Sequence, residues 1–89
     1  MYDGLAQRCG KYRSRLERDW ANWFKLYGIT HRYVDAHWYD FKADEWFVEI
    51  KPHGQEYLEQ AMARMPNATT LVVIQGSFGG AMLWMCVRH

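Results

Sequence analysis

Cysteine and proline are scarce in this chain of 89 residues, which has two of each. Cys9 and Cys86 lie near opposite ends and form no disulfide framework, so a disulfide-stapled secreted miniprotein is excluded as a reading. No apolar run approaches the ~18 residues that a membrane-spanning helix needs. The opening Met1-Tyr2-Asp3-Gly4-Leu5 has none of the features of a signal peptide. These absences lead us to expect a cytoplasmic protein with reduced thiols. There is no internal repeat, no Pro/Gly/Ser-rich linker and no length for a second domain. One domain is therefore expected over residues 1–89, with a lead-in at 1–12, a core at 13–75 and a final strand at 81–87.

Net charge is also small, at +1. Its distribution along the chain is more informative. Residues 1–32 hold seven bases against three acids, residues 33–60 two bases against seven acids, and residues 61–89 two bases and no acid. A basic first third suits a phosphate backbone, and an acidic middle suits a hard cation. What the chain does have in quantity is aromatic side chains, 17% of residues, within a hydrophobic fraction of 49%. That composition excludes a disordered tail and supplies a core without staples.

Leu16, Trp20, Trp23, Phe24 and Tyr27 recur at helical spacing and predict a helix over 13–27, with Gly28 as its stop. Glu17 falls at the edge of the apolar face. It either closes a capping box with Ser14, pairs with Arg13, or serves a site. Residues 29–36 and 37–42 read as two strands, followed by a turn at Ala43-Asp44. Residues 45–51 alternate, with Trp46, Val48 and Ile50 on one face and Phe47, Glu49 and Lys51 on the other. A second helix is expected over 54–65, a buried strand over 69–75, a glycine-rich turn at 76–80 and an apolar strand over 81–87. The order α-β-β-β-α-β-β predicts an α/β (α+β) fold, a mixed sheet flanked by helices, with a parallel pair across the 45–75 crossover.

Four residues carry the chemistry: Glu17, Asp40, Glu49 and Lys51. Glu49 and Lys51 share one face of a strand and, taken alone, read as a surface ion pair. Asp40, on the neighbouring strand, falls opposite Glu49 or one step off. Two carboxylates at that spacing repel unless a cation lies between them. A divalent ion held by carboxylates, with a lysine to orient water, is the arrangement used for phosphodiester chemistry.

These residues resemble the PD-(D/E)XK nuclease superfamily. The likeness rests on Tyr12-Arg13-Ser14-Arg15-Leu16-Glu17 leading into Trp20, then Asp40, then Glu49-Ile50-Lys51, and it extends to about residue 75. Tyr39 stands where the family usually has proline. The resemblance implies a restriction-endonuclease-like core of the small phage, plasmid or resolvase-like type. It implies that Asp40, Glu49, the Ile50 carbonyl and Glu17 hold Mg²⁺, with Mn²⁺ able to substitute, and that Lys51 serves the attacking water. The activity implied is a metal-dependent endonuclease that cuts DNA, branched or nicked, and leaves a 5′-phosphate, with RNA left open as a substrate. Cutting both strands would need two sites, hence a homodimer. Lys11, Arg13, Arg15 and Arg18 are the candidate phosphate contacts, and Gln60 and His53 are secondary site candidates. The alternative reading is a catalytically silent nuclease-fold module that binds nucleic acid or acts as an inhibitor or accessory protein. His31, His37 and His89 have no zinc-like spacing with the cysteines, and the segment Gly76–Gly80 lacks the residues of a phosphate loop.

Overall fold

Ser14 starts the first helix. Its hydroxyl accepts the Glu17 N–H at 3.1 Å and so satisfies one of the donors that a helix N-terminus leaves without a partner. Helix α1 runs from Arg15 to Leu26. It ends in paired reverse bonds, Gly28 N–H to the Lys25 carbonyl and Ile29 N–H to the Phe24 carbonyl, which need the left-handed φ of 69° at Gly28. Leu16, Trp20, Ala21 and Phe24 are buried, as the periodicity requires. Tyr27, expected on the buried face, is 64% exposed because the helix has already ended there.

The structure, a computed structural model, describes residues 9–53 and 57–89. Most of the expected lead-in, residues 1–8, and the expected start of the second helix, residues 54–56, lie outside them. After α1 come strands β1 (His31–Tyr33), β2 (Phe41–Ala43) and β3 (Trp46–Lys51), helix α2 (Leu58–Arg64), and strands β4 (Thr69–Gln75) and β5 (Met82–Arg88). The sheet is five-stranded in the order β1-β2-β3-β4-β5. It is antiparallel except for β3 and β4, which run parallel, as the strand–helix–strand crossover demands.

The strands expected over 29–36 and 37–42 are shorter than the apolar pattern suggested. Residues 34–40 form a closed loop instead. The Val34 and Asp35 N–H groups both donate to the Asp40 carbonyl, and the Ala36 N–H donates to that of Tyr39. Asp35 adopts a φ of 53°, which an aspartate tolerates better than most residues. The following turn is centred on Asp44, with φ 50°, rather than on Ala43, which still pairs with Trp46.

The two faces of the sheet carry separate cores. Leu16, Trp20, Phe24, Phe41, Val48, Ile50 and Ile74 pack under α1. Tyr57, Ala61, Met65, Leu71, Val73 and Cys86 pack under α2. The alternation in β3 divides its residues between the two: Val48 and Ile50 join the first core, and Phe47 lies against the second. The Trp20 indole N–H donates to the Gly76 carbonyl at 2.8 Å and so ties α1 to the far end of β4. Gly76 has no substitute there. Its φ is 95°, and an added Cβ would sit 2.1 Å from the His53 ring.

Candidate active site

Three buried acids surround the start of β2. Asp40 is fully buried, Glu49 is 3% exposed and Glu17 is 4% exposed. Phe41 pairs with Val48. The Asp40 N–H donates to the carbonyl of the same Val48 at 2.8 Å, so Asp40 stands one step off exact opposition to Glu49, with the two carboxyl groups in hydrogen-bonding contact. The Ile50 N–H donates to Asp40 Oδ2 at 2.8 Å. Ile50 therefore meets the site through its amide, which orients Asp40.

Arg13 supplies part of the charge that this arrangement needs, on the Glu17, Asp35 and Asp40 side. Its guanidinium donates to Asp40 Oδ1 at 2.8 Å, lies 2.5 Å from Asp35 Oδ1 and 3.7 Å from Glu17 Oε2. Expected to pair with Glu17 or to contact phosphate, Arg13 bridges three acids with its side chain half-exposed. Burial works against its charge, but the hydrogen bond and charge of Asp40 outweigh burial and hold it protonated. Glu17 accepts the Arg13 N–H at 2.8 Å and the Tyr33 hydroxyl at 2.8 Å on the same oxygen. Burial first, and then the Asp40 charge, raise its pKa. Of the capping box only half forms: Ser14 caps Glu17, while Glu17 reaches back to Arg13 rather than to Ser14.

Asp40 and Glu49 are two carboxyl groups with too little positive charge between them. Burial, then hydrogen bonding to Glu49 and the Glu49 charge, push the pKa of Asp40 from 3.8 to about 7. Glu49 Oε2 accepts the Tyr57 hydroxyl at 2.6 Å, whereas Oε1 is buried with no hydrogen-bond partner. An orphaned carboxylate oxygen in the interior costs about 1–3 kcal/mol or more. A proton on Asp40, shared with Glu49, would satisfy it. So would a cation.

Lys51 follows two residues on. Its ammonium lies 4.2 Å from the centroid of the Tyr57 ring, and Arg64 donates to the Tyr57 hydroxyl at 2.9 Å. Arg13, Asp35, Ala36, His37, Glu49, Lys51 and Arg64 line an open cleft of about 330 Å³. Tyr57, Arg64, Asp35 and His37 were not expected at the site. Tyr57 and Arg64 are seven positions apart, two turns of a helix, and that spacing was the only available sign that they could act together. Gln60 is exposed on α2, and His53 packs on Gly76; neither lines the cleft.

Among the described residues, no group of three or more His, Cys, Asp or Glu side chains is placed to hold a metal ion. Glu17 is committed to Tyr33 and to Arg13. The pair Asp40 and Glu49 does fit a hard cation by donor chemistry. Both are oxygen donors, and one of those oxygens is buried without a partner. No helix among the described residues is long and apolar enough to cross a membrane. Comparison with protein-family models, with curated proteins and with solved structures finds no match for this chain.

Proposed function

We propose that this protein is a metal-dependent phosphodiesterase acting on DNA, an endonuclease with a restriction-endonuclease-like core. The observation that carries the reading is the buried pair of Asp40, just before β2, and Glu49 on β3, with Lys51 beside it on the wall of the cleft. A fold tolerates such a pair at a cost, and costs of this kind concentrate where chemistry is done. The element order and the parallel β3–β4 step are those that the resemblance implies, and they support the same reading.

Asp40 and Glu49 would hold Mg²⁺, which when bound acts as a Lewis acid on the phosphate and lowers the pKa of a bound water. The remaining work falls to the protein's own side chains. Tyr57 fixes the Glu49 carboxylate by its 2.6 Å bond, and the Ile50 amide fixes Asp40. Lys51 presents a cation to the attacking water and to charge developing on the phosphate. Arg64 and Arg13 face the same cleft and offer donors to the phosphate oxygens.

The test is cleavage of plasmid and branched DNA with Mg²⁺ or Mn²⁺ by the wild type, Lys51→Ala and Asp40→Asn. Cleavage by the wild type and a loss of at least about 10²-fold in each variant is expected. Cleavage that survives both substitutions, or a wild type inert on every nucleic acid tried, removes the enzymatic reading. A second reading, a silent nucleic-acid-binding module, draws on one observation: the Arg13 guanidinium already neutralises Asp40. That reading predicts DNA binding which Lys51→Ala and Asp40→Asn leave intact, without cleavage by any form.

The structure separates the arginines of α1. Arg18 is engaged by Asp19 at 3.0 Å and by the Cys9 sulfur at 3.3 Å, while Arg15 and Lys11 are exposed. We expect Arg15→Ala to lower DNA affinity and reduce the salt slope of log K by about one, and Arg18→Ala to change the slope by less. Fluorescence-anisotropy titrations at several salt concentrations measure both. Equal effects of the two substitutions would remove the distinction.

A further inference from the structure

Among the described residues, strand β5 is an edge of the sheet and pairs only with β4. Large apolar side chains stand open along it: Met82, Leu83, Trp84, Met85 and Val87, with Leu83 66% and Met85 62% exposed. Its register with β4 sets Leu83, Met85 and Val87 on the face shared with Ile74, Val72 and Thr70. That is the α1 side, but α1 packs on β1 and β3. On the other side α2 covers Cys86, and the Arg88 guanidinium donates to the Met62 carbonyl at 2.7 Å and to that of Met65 at 3.1 Å. The strand is thus anchored from one face and open on the other face and along its outer edge.

Exposed edges are ordinarily blunted by charge, proline, a bulge or shortness. The opposite edge follows that rule: β1 has three residues, one of them the exposed Arg32. Strand β5 has seven residues, and from Met82 to Val87 it carries neither charge nor proline.

We infer that β5 is a homodimer interface, in which the β5 strands of two copies pair antiparallel across a two-fold axis and join their sheets into one of ten strands. A free row of backbone donors and acceptors is satisfied by another strand, and a second copy supplies an identical one. Two-fold symmetry imposes the antiparallel sense. The uncharged run from Met82 to Val87 allows self-apposition without like charges meeting, and it gives nothing to a phosphate backbone or an acidic partner. Leu83, Met85 and Val87 form one open apolar face on the order of 300 Å² per copy, within the range of a monomer's largest patch, and Met82 and Trp84 stand open on the other face. Phe78, 51% exposed in the turn before the strand, adds to this apolar surface, and pairing of the strand backbones supplies further contact. The cleft wall on β3 lies two strands inboard, so pairing at β5 leaves both sites open.

Sedimentation equilibrium on the 89-residue chain, up to about 100 μM, tests the inference. The wild type is expected to be dimeric, and Leu83→Lys/Met85→Lys monomeric with an unchanged circular-dichroism spectrum. Should that variant fail to fold, hydrogen exchange of the wild type decides instead: the outward-facing β5 amides should gain protection as concentration rises, by at least about tenfold. A wild type that stays monomeric throughout overturns the inference. So does a dimer whose β5 amides exchange as fast as in the monomer, since it must use another face.

Discussion

Replacing Glu49 by glutamine is expected to abolish cleavage and at the same time to stabilise the fold. The amide can keep its oxygen on the Tyr57 hydroxyl and turn its NH₂ towards Asp40, where the wild type has an orphaned oxygen. One of two mutually repelling buried charges is then gone. The gain should depend on pH in a defined way. Asp40 binds its proton more tightly in the folded state, with a pKa near 7, than in the unfolded chain, where it has the ordinary 3.8. Its contribution to stability is therefore fully present below about pH 4 and is lost as pH rises through 7. In Glu49→Gln, Asp40 returns towards its usual range and this loss shrinks. The difference in stability, variant minus wild type, should be near zero at pH 4, grow through pH 7 and level off by pH 8 at roughly 2 kcal/mol. Thermal or urea melts of the metal-free proteins at each pH measure it. A difference that stays flat with pH, or a variant less stable at pH 8, would show that the two carboxyl groups do not share a proton.

Substitution of Arg13 by glutamine should have the opposite sign. Asp40 is fully buried and Arg13 is its salt-bridge partner. The Arg13 side chain is 46% exposed and the Ile50 amide still holds Asp40, so solvent screens the pair and the cost falls below that of a fully buried one. At pH 8 the variant should lose about 1–2 kcal/mol. Towards pH 5 the deficit should shrink, because Asp40 can take up a proton in place of the lost cation. Mn²⁺ should raise the melting temperature of the variant more than that of the wild type, since the guanidinium no longer competes for Asp40 Oδ1. An Arg13→Gln protein as stable as the wild type at pH 8, with the same response to Mn²⁺, would exclude Arg13 as the internal counter-charge.

The two substitutions mark how much of the site could be read from residue order. Asp40 and Glu49 are nine positions apart across a two-residue turn, so simple hairpin counting sets them opposite or one step off; the Asp40 N–H bond to Val48 puts them one step off. The apolar stripe of α1 and the alternation in β3 were legible for the same reason: each is a local periodicity imposed by backbone geometry. The pairing of Arg13 with Glu17 was open to the sequence, but its bridging of Asp35 and Asp40 was not legible. It depends on Asp35 and Asp40 reaching the helix start from more than twenty positions away, and on a left-handed φ at Asp35 that nothing in the neighbouring residues demands. Tyr57 and Arg64 are drawn into one hydrogen-bonded chain with Glu49 only when α2 docks on the sheet. The apolar run of β5 read as a strand, but the strand lies at an edge, a position that composition alone does not distinguish.

Chain order and sheet order are the same in this fold, and that has a consequence for how the molecule assembles. Every strand hydrogen-bonds to its predecessor in sequence, so most loops that must close during folding are short, and short closures are fast. The exception is the β3–β4 step, where the chain must complete α2 before the parallel pair can form. The hairpin that sets Asp40 against Glu49 should then exist while Tyr57 is still far from Glu49. In the interval the two carboxyl groups remain open to water and pay no desolvation cost. Docking of α2 and β4 sets Tyr57 and Val73 on Glu49 and so buries that carboxyl group beside Asp40, so alkaline pH should slow the last phase of folding more than the first.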